Sequence, residues 1–71
     1  MTADEVRKAK FRDKLRGYYP GDVDALLEKA ARELDARRSP LALIHNVTFR
    51  SKLRGYHPDD VDAFLARLKS A

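Results

Sequence analysis

Two pairs of aspartates, Asp22 with Asp24 and Asp60 with Asp62, each follow shortly behind a proline. Paired carboxylates can hold a divalent cation or share general acid and base work, provided that they converge. Residues two apart on a helix point to different sides, so neither pair converges. The chain has no cysteine, and neither of its two histidines, His45 and His57, has a partner at metal-ligand spacing. No nucleophile, base and orienting group form a recognisable set. The expectation is therefore a protein that is not an enzyme and carries no metal and no cofactor.

Charge recognition is the chemistry that remains. Fifteen Lys and Arg against eleven Asp and Glu leave a net charge of +4. That excess suits a phosphate-bearing surface, lipid or nucleic acid, and serves solubility equally well. Lys14, Arg16, Lys52 and Arg54 flank two leucines, Leu15 and Leu53. If these segments share one end of the molecule, they form a basic, partly apolar tip suited to anionic headgroups. Each cation there is worth about 1 kcal/mol near such a surface. Nucleic acid is disfavoured, because the basic residues are spread along the chain with no recognition helix or aromatic platform.

These residues recur because the chain is written twice. Shifted by 38 positions, Phe11–Leu27 falls on Phe49–Leu65 with thirteen of seventeen residues identical, the mark of a tandem duplication. Residues 1–38 form the first repeat and residues 39–71 the second. At 71 residues both must share one small core, worth about 3–5 kcal/mol.

Each repeat reads as helix, tight turn, helix. "TADE" at Thr2–Glu5 is a capping box, and the helix behind it is expected to run to about Arg16. Gly17 and Gly55 suit left-handed helix ends. Pro20 and Pro58 suit the first position of the next helix. Val23, Leu26, Leu27, Ala30 and Leu34 make one apolar stripe; Val61, Phe64, Leu65 and Leu68 make the other. Ser39–Pro40 ends one helix and begins the next. The expected fold is all-α: two tandem hairpins packed as a small four-helix bundle with a pseudo-two-fold axis and no β-sheet. No apolar run approaches the ~20 residues needed to span a bilayer, so a cytoplasmic location is expected, with any membrane contact peripheral.

"IHN" at Ile44–Asn46, Phe49, "RGY" at Arg54–Tyr56 and "VDAFL" at Val61–Leu65 resemble the N-terminal domain of the DivIVA family of bacterial cell-division and polar-growth scaffolds. The first repeat, through "TADEV" and "LRGY", is similar to the GpsB branch of that family. Family members carry one such domain followed by a long coiled coil, whereas this chain has two in tandem. The tip positions that are often Phe in DivIVA proteins are Leu15 and Leu53 here.

The resemblance implies a scaffold or adaptor whose partners are division or cell-wall proteins, with the inner membrane surface as a second partner. Homodimerisation is compatible with so small a core. The alternatives are a purely lipid-directed peripheral membrane module and a basic helical nucleic-acid-binding module. By resemblance, an arginine from a partner's tail would enter a groove formed by Val6, Tyr18, Asp24 and Glu28 in the first repeat. The matching groove in the second would use Ile44, Tyr56 and Asp62. A carboxylate beside an apolar groove can take a guanidinium in a two-pronged grip. Glu28 is matched by Ala66, which favours the first groove.

Overall fold

The structure, a computed structural model, describes residues 1–45 and 47–70. Asn46 of the "IHN" motif and Ala71 lie outside the described residues. Helix α1 (Ala3–Arg7) opens on the expected capping box. The Glu5 amide donates to Thr2 Oγ1 at 3.2 Å and the Thr2 amide donates to Glu5 Oε1 at 3.3 Å. The chain then forms β1 (Asp13–Lys14), β2 (Gly17–Tyr18) and the long α2 (Pro20–Asp35). The second half repeats the series as α3 (Leu41–Ile44), β3 (Ser51–Lys52), β4 (Gly55–Tyr56) and α4 (Pro58–Lys69).

The expectation of an all-α bundle without a sheet is overturned. Four two-residue strands form one antiparallel sheet in the order β1-β4-β2-β3. Asp13 pairs with Tyr56 and Lys14 with Gly55; Gly17 pairs with Lys52 and Tyr18 with Ser51. The central pair is Tyr18 with Tyr56, one residue from each repeat. The pseudo-two-fold axis runs between them, and every strand pairing joins one repeat to the other.

This pairing explains why α1 stops at Arg7 instead of running to about Arg16. Tertiary partners claim the backbone groups that a longer helix would use internally, and they override local propensity. The Arg12 amide donates to Asp60 at 3.0 Å, and the Arg12 carbonyl accepts from His57 N–H at 2.7 Å. Arg50 does the same with Asp22 and Tyr19, at 3.1 and 2.7 Å.

Gly17 and Gly55 are also corrected. Neither has positive φ; each is glycine because two backbones touch. A Cβ on Gly17 would lie 2.7 Å from the Gly55 carbonyl carbon and collide with the Tyr56 carbonyl oxygen, and Gly55 meets Tyr18 in the same way. Among the described residues the left-handed one is Arg37, with φ of 57°. It closes α2 in a Schellman arrangement: Arg38 N–H donates to Glu33 O at 2.8 Å, and Arg37 N–H to Leu34 O at 3.0 Å.

Pro20 and Pro58 open α2 and α4. The apolar stripes meet in one core of Val6, Val23, Leu26, Leu27, Ala30, Ala31, Ile44, Val61, Leu65 and Leu68, with Ala3 at its edge. Phe11 and Phe49 pack from outside on the tyrosines of the opposite repeat, with ring centroids 5.2 and 5.0 Å apart. Phe64 adds an edge-on contact to Phe11 at 5.7 Å.

Candidate peptide grooves and basic tip

The crossed strands exchange the tyrosines between the expected grooves. Tyr18 does not join Asp24; its hydroxyl donates to Asp62 Oδ1 at 2.9 Å. Tyr56 donates to Asp24 Oδ1 at 2.9 Å in turn. Both phenols sit half-buried at the sheet, and burial, followed by the hydrogen bond to the neighbouring carboxylate, raises their pKa above the ordinary tyrosine value.

The first groove is therefore Val6, Arg7, Ala9, Asp24, Leu27 and Glu28, with Tyr56 holding Asp24 from the other repeat. The second is lined by Tyr18, Ile44, Val47, Phe49, Asp62 and Leu65, and ends at Ala66 and Lys69. Val6 and Ile44, Asp24 and Asp62, and Leu27 and Leu65 are equivalent under the 38-residue shift. The structure thus brings together every expected groove residue, with the tyrosines traded. Each groove has a buried aliphatic floor and an exposed carboxylate oriented by a phenol.

The first groove is not open in the same way. The Arg7 guanidinium lies 3.6 Å from Glu28 and 3.0 Å from Asp35, and Arg32 lies 3.4 Å from Glu28. These partners raise the Arg7 pKa, with Asp35 contributing most.

Asp22 and Asp60 serve the fold. Arg12 grips both oxygens of Asp60 at 2.9 and 2.8 Å, and Arg50 grips those of Asp22 at 3.1 and 2.9 Å. Each carboxylate also accepts the backbone N–H of its arginine. These bonds hold both carboxyls below the usual range, Asp60 well below it, and raise the arginines in return. His57 is likewise structural: its Nδ1 accepts from the Asp59 N–H at 3.3 Å as the cap of α4. Among the described residues no group of three or more His, Asp or Glu could hold a metal ion.

Arg16 of one turn meets Ser51, Lys52 and Leu53 of the other around one shallow depression, so both turns lie at the same end. Leu15 and Leu53 stand out there, 67% and 66% exposed. Among the described residues Lys14, Arg16, Lys52 and Arg54 form no ion pair. Lys52 lies 5.4 Å and Arg50 4.7 Å from the Tyr19 ring centroid, a cation–π contact that the second repeat, with His57, lacks. No helix among the described residues is long and apolar enough to cross a membrane.

Part of the chain is similar to a cell cycle protein. The match is to the curated Cell cycle protein GpsB of Levilactobacillus brevis, 42% identical over 36 residues. It covers 51% of this chain and 31% of that relative, so the chain spans about a third of the relative's length. No family model and no solved structure matches the chain. The likeness suggests the DivIVA family at most.

Sequence reasoning missed Arg12 and Arg50 as brace residues. A signal was present, because both arginines and both acids, Asp22 and Asp60, occupy identical places in the two repeats.

Proposed function

We propose that the chain is a non-catalytic scaffold or adaptor of the DivIVA/GpsB kind, which takes arginine-bearing segments of division or cell-wall proteins into its grooves. The observation that carries this reading is the tyrosine–aspartate pair at each groove, 2.9 Å in both copies. Each phenol takes one lone pair of the carboxylate and orients it above an apolar floor, leaving acceptor capacity on both oxygens for a guanidinium. Bidentate recognition of that kind favours Arg over Lys.

The test is titration of arginine-bearing and lysine-bearing peptides against the wild type, Asp24→Asn and Asp62→Asn. Asn still accepts from tyrosine but brings no charge, so the fold persists while arginine binding to whichever groove is occupied weakens by about 2 kcal/mol. Equal affinity across the three proteins would remove the reading.

A second contact, with anionic lipid at the inner face of the membrane, is supported by the exposed Leu15 and Leu53 among four cations that have no ion partner among the described residues. In this reading the scaffold is cytoplasmic and peripheral to the bilayer. The proteins' identity as division components rests on the likeness to GpsB.

A further inference from the structure

The two grooves share a plan, and three of the positions at which they differ bear on what each could bind. Arg7 in the first is matched by His45, Glu28 by Ala66, and Ala31 by Lys69 in the second. In the first groove Arg7 reaches across to Glu28 and Asp35 and supplies, from within, the cation that the groove's acids attract. In the second groove Ala66 offers no such anchor. Asp62 and Lys69 both line it, and neither forms an ion pair among the described residues.

We infer that Arg7 latches the first groove from within, and that the second is the open site, selective for a segment carrying an arginine and a carboxylate. This rests on the peptide-groove reading above. The arginine goes to Asp62 and the carboxylate to Lys69. Seven residues of α4 separate these two, about 10 Å along the axis. A polyproline II segment covers about 9 Å in three residues and returns every third side chain to the same face, so the preferred pattern is Arg-x-x-Glu or Arg-x-x-Asp. Once Arg7 is removed, the first groove keeps Asp24 and Glu28 with no cation between them, so it takes the arginine peptide that lacks the carboxylate.

The probe is a short, capped Ser/Ala peptide containing Arg-x-x-Glu, with an Arg-x-x-Gln control, followed through backbone amide shifts by NMR. In the wild type one equivalent should bind, moving Ile44, Val47, Leu65 and Ala66. In Arg7→Ala a second equivalent of the Arg-x-x-Gln peptide should bind, moving Val6, Ala9 and Leu27. Lys69→Ala should weaken the Glu peptide about two- to fivefold, the range of an exposed charge pair, and leave the Gln peptide unchanged. Both grooves filling together in the wild type, or no second site in Arg7→Ala, would overturn the latch. An equal loss for both peptides in Lys69→Ala would overturn the carboxylate selectivity. No shift in any form would remove the groove reading itself and this inference with it, whereas the preceding outcomes leave that reading standing.

Discussion

Arg12 and Asp60 are 48 positions apart and joined three times: twice through the guanidinium, at 2.9 and 2.8 Å, and once through the Arg12 backbone N–H, at 3.0 Å. Arg50, 38 positions after Arg12, and Asp22, 38 positions before Asp60, repeat the arrangement, so the two halves are clasped on both sides of the central tyrosine pair.

The clasps predict an acid limb of stability. Both aspartates have folded-state pKa values below the ordinary one. Their contribution is therefore complete above the unfolded value of about 3.9 and is lost as pH falls from there through the folded values. Thermal melting followed from pH 7 downward should show that decline, and Asp22→Asn with Asp60→Asn should lower the melting temperature at pH 7 and flatten the slope.

Tyr18 and Tyr56 predict the alkaline limb. Their folded pKa values are raised, so their contribution is intact below about 10 and is lost as pH climbs through the folded values. In a Tyr19→Phe background, tyrosinate absorbance should appear later in the folded protein than in urea. Adding Asp24→Asn and Asp62→Asn should bring it earlier, since the neighbouring negative charges are gone.

Gly17→Ala should be among the most damaging small substitutions. The added methyl meets backbone atoms of Gly55 and Tyr56 rather than a flexible side chain, so the cost should reach the upper part of the about 1–3 kcal/mol seen for overpacking. Urea unfolding would measure it. A change under 0.5 kcal/mol, as an order of magnitude for a neutral surface site, would contradict the close approach.

Arg37→Gly should act in the opposite direction. A left-handed conformation costs an L residue about 1–2 kcal/mol, and glycine's greater unfolded-state freedom returns about 0.5–1 kcal/mol of that gain. A net stabilisation of roughly 0.5–1 kcal/mol is expected in the same urea experiment.

For the tip, binding to anionic vesicles should weaken with added salt and with Arg16→Glu plus Arg54→Glu. Replacing Leu15 and Leu53 by Ser should weaken it further at constant charge. Equal binding to neutral vesicles would exclude the electrostatic contact, and tight salt-sensitive binding to duplex DNA alone would favour a nucleic-acid partner instead.

The parts of this fold that were legible are those in which one residue type has one local use. Thr2 with Glu5, and the prolines at 20 and 58, mark helix starts wherever they fall, and the α2 and α4 stripes follow from apolar spacing. The sheet was illegible because its strands are two residues long, far too short for an alternating pattern to register. The exchange of Tyr18 and Tyr56 was hidden for another reason. In a near-identical repeat, a contact within one copy and the same contact across copies have the same sequence signature. Gly17 was assigned to the wrong cause because a helix end and a backbone crossing both require a residue without Cβ.

The strand order β1-β4-β2-β3 has a consequence for how the molecule responds to dilution. Two separate hairpins crossed in this way would come apart as protein became scarce. The joint at residues 37–40 makes their meeting intramolecular, governed by a fixed effective molarity rather than by abundance. The crossed platform that carries both grooves and the tip therefore stays assembled in a cell holding only a few copies.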